Sequence, residues 1–174
     1  MTATAEGFRN LFRQVPQPVW ILTTRDTDHD PVGVTVSSLI PVSADPPTVL
    51  FTLQNDASAL PAFAEATQVL AHAVSVDGED DARTFASSGI DRFRSVGDRH
   101  GLGGLPTVPD SCGRMLIRIT RVLPVAESAL FIGTVQATWL PSEPPAPAVW
   151  RDRGFTTTVD RPTIRIPRSG HDDD

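Results

Sequence analysis

Short runs in which apolar and β-branched residues alternate with polar ones recur through most of the chain, and this period favours strands over long helices. Turn residues such as proline, glycine, aspartate and asparagine separate the runs. The pattern predicts six strands and a short seventh, at 19–24, 32–38, 48–53, 69–76, 115–125, 130–140 and 155–159. Most of the connections are short, so the strands are expected to pair antiparallel.

Helical spacing of apolar residues appears in three stretches, 8–15, 58–65 and 77–88, and Pro16 ends the first. Glycine, proline and polar residues dominate 89–111, which predicts a long loop. The predicted fold class is mainly β with helices, a closed or split barrel that is mostly antiparallel. We expect a single domain over 1–164, followed by a polar, disordered tail at 165–174.

Composition excludes several classes of protein. The 174 residues carry a net charge of −6, which argues against a nucleic-acid-binding protein. The four histidines show no metal-binding spacing, so no metal site is predicted. Cys112 is the one cysteine, and no apolar run is long enough for a signal peptide or a membrane span. These features predict a cytoplasmic protein that does not bind a membrane.

A hydroxyl-rich segment runs through the second predicted strand and beyond it. Thr35, Ser37 and Ser38 alternate with valines, and two prolines follow a few residues later. Buried hydroxyl groups need hydrogen-bond partners, and a ligand that carries a phosphate and ring acceptors would supply them. A solvated strand face explains the same residues, and for this segment taken alone it is the favoured interpretation.

A second anion-friendly position is Ser58, at the predicted start of the helix over 58–65. Free backbone N–H groups and the helix dipole favour an anion at such a place. An ordinary N-cap is the simpler interpretation. The two positions flank one predicted strand, and together they are more suggestive than either one alone.

The order of the motifs resembles the flavin reductase-like family, the small reductase partners of two-component flavin monooxygenases. The resemblance covers roughly 8–160, and its most specific block is Gly33-Val34-Thr35-Val36-Ser37-Ser38-Leu39 followed by Val42-Ser43-Ala44-Asp45-Pro46-Pro47. Weaker matches are Ala57-Ser58-Ala59-Leu60, Arg83-x-Phe85-Ala86, Arg92-Phe93 and Leu130-Phe131-Ile132-Gly133.

This resemblance implies an FMN-binding split barrel that forms a homodimer, with flavin near the subunit interface. It implies hydride transfer from NADH or NADPH to FMN or FAD, and supply of the reduced flavin to a partner monooxygenase. Carried over by position, the residues implied to bind flavin are Thr35, Val36, Ser37, Ser38, Thr52, Leu53, Gln54, Ala57, Ser58, Ala59, Ala71 and His72.

Three departures from the family pattern bear on activity. Ala73 stands where the family usually has asparagine, and Trp150 ends a segment where an aromatic residue usually follows proline and leucine. Ala126-Glu127-Ser128 replaces a usual Gly-Asp-His triplet, which puts Ser128 in the catalytic histidine's position. Two functions therefore stay open: a flavin reductase, or a relative that binds flavin or another small molecule in the same cleft without nicotinamide-dependent turnover.

The resemblance also implies a surface for dimerisation. Apolar residues on two predicted strands, Val19 and Ile21 on one and Val49 and Phe51 on the other, are candidates for this surface. A place in the core is equally consistent with these four residues.

Overall fold

A computed structural model describes residues 2–158. It contains three α-helices, α1 (Ala5–Gln14), α2 (Leu60–Glu65) and α3 (Glu79–Ala86). The strands are β1 (Gln17–Pro18), β2 (Trp20–Arg25), β3 (Pro31–Val36), β4 (Ile40–Ala44), β5 (Pro47–Gln54), β6 (Gln68–Val74), β7 (Ser111–Val125), β8 (Ser128–Trp139), β9 (Ala148–Arg151) and β10 (Gly154–Thr157). Short 3₁₀ turns lie at Val76–Gly78 and Leu102–Gly104.

The strands form two antiparallel sheets. Seven of them follow the order β3-β2-β6-β7-β8-β5-β4, and a small sheet has the order β1-β9-β10. The Ser38 hydroxyl donates to the Thr52 carbonyl (3.1 Å) and accepts from the Thr52 N–H (3.0 Å), which joins the end of β3 to β5. Because β3 and β5 lie near opposite ends of the strand order, this contact curls the large sheet toward a barrel. The predicted β-rich, mostly antiparallel class is confirmed.

Two apolar clusters hold the fold together, one on each side of β2. Leu22 belongs to the first, with Phe51 and Phe131 stacked at 4.8 Å between ring centroids. Ile21 belongs to the second, which lies beneath α3 and includes Phe85. Neighbouring residues of a strand point to opposite faces, so one strand supplies both clusters. Each fully buried large side chain contributes about 1.5–3 kcal/mol relative to exposure.

Several element boundaries differ from the prediction. β4, β9 and the two-residue β1 were not predicted, and β7 begins at Ser111 rather than 115. β4 escapes the pattern because all five of its residues are exposed, so no buried face alternates with a polar one. The predicted break at 45–47 is a tight turn, with β5 beginning at Pro47. The last strand is Gly154–Thr157, slightly earlier than expected.

Of the two places left open for the four apolar residues of the predicted strands, the core is the one observed. Val19, Ile21, Val49 and Phe51 are between 0% and 6% exposed, because they belong to the two apolar clusters. The predicted tail at 165–174 lies outside the described residues. In the part of the chain that the structure describes, no helix is long and apolar enough to cross a membrane.

Candidate functional site

A polar groove opens where the ends of β3 and β5, the segment before α2 and the segment after α3 meet. Its volume is about 440 Å³, within the usual range for small-molecule sites. Ten of the predicted flavin-binding residues line it together: Thr35, Val36, Ser37, Ser38, Thr52, Leu53, Gln54, Ala57, Ser58 and Ala59. Residues from three separate segments therefore converge on one cavity.

The hydroxyl groups of β3 and its extension do not point freely into this groove. Thr35 donates its hydroxyl hydrogen to the Ala82 carbonyl (2.7 Å), and Ser37 donates to Oε1 of Gln17 (2.6 Å). Ser38 donates to the Thr52 carbonyl. A hydroxyl has a single hydrogen to donate, so these three side chains cannot also donate to a phosphate in this arrangement. The expectation that the three hydroxyl groups form a row of phosphate donors is therefore corrected. Their hydrogen bonds instead hold α3, β1 and β5 against β3 and its extension.

The helix start near Ser58 also differs from the prediction. α2 begins at Leu60 with Ala59 as its N-cap, and no side chain caps it. Ser58 lies one position before the cap, so its hydroxyl is not used by the helix. That hydroxyl accepts a hydrogen bond from Nη2 of Arg92 (3.2 Å), and its own hydrogen remains available to a ligand.

Arg92 is the cationic residue of the groove, and residue-level reasoning missed it as a binding residue. Its Nε donates to the Ser87 carbonyl (2.8 Å), Nη1 to the Gly33 carbonyl (2.8 Å) and Nη2 to Ser58. A guanidinium carries five N–H donors, so two remain for a ligand. Burial lowers the pKa of Arg92, yet guanidinium groups stay protonated in proteins. The Arg92-Phe93 motif match was the one signal in the sequence that could have identified Arg92. Because the motif lies in a long predicted loop, the sequence did not indicate which residues Arg92 would contact.

The exposed edge of β3 offers backbone donors beside Arg92. β3 is an edge strand, and the Gly33 carbonyl points outward to Arg92. Backbone groups repeat with a period of two, so the N–H of Thr35 lies on the same outer edge. Gly33 is also required by packing, because a Cβ there would lie 2.6 Å from Cδ1 of Phe85. The lack of a side chain at Gly33 lets α3 approach β3 and form one wall of the groove.

Ala71 and His72 are not brought to the groove with the other ten residues. Both are 0% exposed within β6, which is paired on both sides by β2 and β7. Nδ1 of His72 donates to the Ile21 carbonyl (3.0 Å), and its Nε2 accepts from the Val108 N–H (3.2 Å). His72 therefore anchors the loop around Val108 to the core, and it lies apart from the lining of the groove.

This buried histidine predicts an acid-sensitive fold. Burial lowers the pKa of His72 from 6.5 to about 4, because the charged imidazolium loses its hydration inside the core, and the nearby Arg114 lowers it further. Protonation would also turn Nε2 into a donor that faces the N–H of Val108. The unfolded chain takes up the proton first, so the stabilisation is complete above pH 6.5 and is lost as the pH falls toward 4. We expect the free energy of unfolding to fall by about 2 kcal/mol between pH 7 and pH 5 from this group.

Urea denaturation at each pH measures this effect. His72→Gln should flatten the pH dependence over that interval, whatever its effect on absolute stability. An unchanged slope in the variant would contradict the assignment.

Ser128 lies beside the groove rather than in its lining. It is half-buried and pairs directly with Gln54 across β5 and β8, so the two side chains share a sheet face. The preceding turn is tied to the groove by a hydrogen bond from the Asn55 N–H to the Glu127 carbonyl (3.0 Å). Ala126 has φ +50°, in the region that favours glycine. A glycine is what the Gly-Asp-His pattern expects there, so the local geometry supports the alignment of Ser128 with the histidine position.

Metal chemistry has no visible support. Among residues 2–158, no group of three or more histidine, cysteine, aspartate or glutamate side chains is placed to hold a metal ion. Cys112 is half-buried, and burial raises the pKa of its thiol, which does not favour a reactive thiolate.

Comparison with known proteins agrees with this geometry. The family model described as "Flavin reductase like domain" matches residues 12–158. The NADH:riboflavin 5'-phosphate oxidoreductase of Streptomyces pristinaespiralis is 32% identical over 158 residues, covering 87% of this chain and 87% of that protein. The flavin reductase domain protein of Arthrobacter sp. FB24 is similar in structure, with a TM-score of 0.83 and 24% identity, over 93% of this chain and 100% of that one. Nitrilotriacetate monooxygenase component B from Mycobacterium thermoresistibile gives a TM-score of 0.83 at 22% identity, over 97% of this chain and 93% of that one.

Proposed function

This chain belongs to the flavin reductase like domain family, and on that premise we propose that it is an NAD(P)H-dependent oxidoreductase that reduces FMN or FAD. The observation that carries the proposal is the convergence of ten predicted residues and Arg92 on one polar groove. The relative from Streptomyces pristinaespiralis, named for NADH and riboflavin 5'-phosphate, supports the same activity.

The donor set of the groove fits a flavin phosphate. Arg92 supplies charge and two unused N–H donors, Ser58 supplies a hydroxyl hydrogen, and Thr35 supplies a backbone N–H on the strand edge. Arginine pairs well with phosphate oxygens because its donors form a planar fork. Thr52, Leu53 and Gln54 line the other side, where the ribityl chain or ring would lie.

The flavin supplies the redox chemistry when bound, accepting hydride from the nicotinamide, and the protein holds and orients the reactants. Gln54 and Ser128 lie at one end of the groove on a shared sheet face. Ser128 can donate one hydrogen bond but carries no positive charge. The proposed catalytic role of Ser128 is therefore to orient the reacting ring edge.

A homodimer is part of the proposal. The outer face of the β5–β8–β7 region is apolar, with Leu123 and Val125 42% and 50% exposed and Leu50, Leu130 and Ile132 half-buried. The strand pairing continues this face to Gln54 and Ser128, so a second copy packed here would border the groove. Light scattering should give twice the 18.7 kDa chain mass, and a monomer at micromolar concentration would contradict this part.

A partner protein and a location in the cell complete the proposal. A partner monooxygenase that receives the reduced flavin is supported by the structural similarity to nitrilotriacetate monooxygenase component B. A cytoplasmic location is supported by Cys112, a lone cysteine that leaves no pair for an internal disulfide.

NADH oxidation by the purified protein tests the proposed function. Absorbance at 340 nm should fall when FMN or FAD is added, with NADH or NADPH as the donor. Flavin binding without turnover with either nicotinamide would favour the alternative, a relative that binds flavin without reductase activity, for which the serine at 128 is the motivating observation. Absence of both flavin binding and turnover would reject both flavin functions and favour a relative that binds another small molecule in the same cleft.

A further inference from the structure

A second cavity of about 400 Å³ lies next to the polar groove, between α3 and the small sheet. We call it the aromatic pocket, lined by Val19, Thr35, Val36, Ser37, Ala82, Arg83, Ala86, Ser87, Trp150 and Phe155. Four of these residues, Thr35, Val36, Ser37 and Ala86, also line the polar groove. The two cavities therefore share a wall and can be occupied by one extended molecule.

The chemistry of the aromatic pocket suits a flat ring. Trp150 and Phe155 meet edge to face, with ring centroids 5.0 Å apart, and both are half-buried, so part of each ring stays accessible. The guanidinium of Arg83 lies 4.8 Å from the centroid of Phe155. A base can stack on a tryptophan and on an arginine plane. The hydroxyls of Thr35 and Ser37 are already paired within the protein, so the pocket offers few free polar groups.

The arrangement of the two cavities indicates which ring belongs in each. Arg92 and Ser58, the proposed phosphate contacts, lie in the polar groove together with Gln54. The isoalloxazine needs hydrogen bonds along its pyrimidine edge and must lie next to the nicotinamide. The Gln54 end of the groove offers side-chain and backbone partners for it, next to Ser128. The aromatic pocket then remains for a second ring, across the wall that the two cavities share.

Resting on the proposed function, we propose that the aromatic pocket binds the adenine ring of a dinucleotide whose phosphates lie in the polar groove. The dinucleotide is FAD, because its phosphates are those of the flavin that the polar groove holds, and FMN lacks the adenine ring. Trp150 is the stacking residue, and Arg83 lies over the ring of Phe155 in the same pocket. The protein would thus discriminate a dinucleotide from a mononucleotide through the small sheet, an element separate from the phosphate site.

Binding measurements on Trp150→Leu test this assignment. The dissociation constants of FMN, FAD and AMP are measured by fluorescence or calorimetry. Base–aromatic stacking predicts roughly tenfold weaker binding when the ring is removed. We expect that loss for AMP and for FAD, with FMN affinity unchanged within about twofold.

Two further variants keep the test decisive. Trp139→Leu is the matched control, because Trp139 is 42% exposed and lines neither cavity, and it should change no affinity. Trp150→Phe keeps a stacking surface and should restore most of the affinity for FAD if the small sheet folds normally. Equal losses for FMN and FAD would place the isoalloxazine in the aromatic pocket and overturn the proposal, as would unchanged affinities for all ligands. Failure of the reductase function itself is separate, because it would appear as no FMN binding or turnover in the wild-type protein.

Discussion

Arg92→Gln should weaken FMN binding by roughly 100-fold, since the substitution removes the charge and two charge-assisted hydrogen bonds to phosphate. Arg92 is held in place by the Ser87 and Gly33 carbonyls and by Ser58, so its two remaining donors are oriented before a ligand arrives. Titration of flavin fluorescence gives the dissociation constant. The same variant should bind riboflavin as the wild type does, because riboflavin has no phosphate.

Arg94→Gln is the matched control for this prediction. Arg94 is two residues away, is exposed and does not line the groove, yet its substitution changes the net charge equally. Arg94→Gln should leave FMN affinity within about twofold, apart from a weak effect at low salt. If riboflavin and FMN lose affinity together in Arg92→Gln, the residue supports the shape of the groove rather than a phosphate. Thermal unfolding of the variant checks that the segment after α3 remains folded.

Ser128→His should raise kcat/KM for NADH by about 100-fold, because accurate positioning of reactants is worth several kcal/mol. Two observations indicate that the local geometry can use a histidine here. Ser128 pairs with Gln54 at the end of the groove, and Ala126 holds the backbone conformation that a glycine would adopt in the Gly-Asp-His pattern. FMN affinity should stay close to that of the wild type, since Ser128 does not line the groove.

The pH profile distinguishes a functional histidine from a steric effect. The gained activity should fall as the imidazolium loses its proton, around pH 6.5 for an unperturbed histidine. Ser128→Asn is a control of similar size that donates hydrogen bonds but does not titrate in this range. The proposed role of position 128 would be contradicted by two results. One is no increase in kcat/KM with histidine, and the other is an equal increase with asparagine at all pH values.

Much of the fold could be predicted from the sequence, because a strand with one buried face has apolar and polar residues that alternate with a period of two. β2, β3, β5, β6, β7 and β8 all lie close to their predicted positions. β4 was not predicted, because it has no buried face. β9 was not predicted either, because its four residues are too few to show a pattern. Short or fully exposed strands exist through their pairing partners, which a local pattern does not contain.

The sequence by itself determined the class of the fold and most of the groove. Ten residues singled out by motif resemblance do converge on one cavity. They converge because a motif within a strand or at its end has a defined position on the backbone of the fold. Burial and hydrogen-bond partners were decided only by the tertiary structure. Ala71 and His72 are enclosed by the neighbouring strands, and the hydroxyls of Thr35 and Ser37 are used by distant segments.

Arg92 is a functional residue whose contacts only the tertiary structure decided. Its position in the chain gave a residue type in a long loop, and folding alone brought it against Ser58 and Gly33, more than 30 residues away. The aromatic pocket likewise combines α3 with a hairpin near the end of the described chain. Local patterns record which face of an element is apolar, whereas the charge and the rings that contact a ligand depend on which distant elements the core brings together.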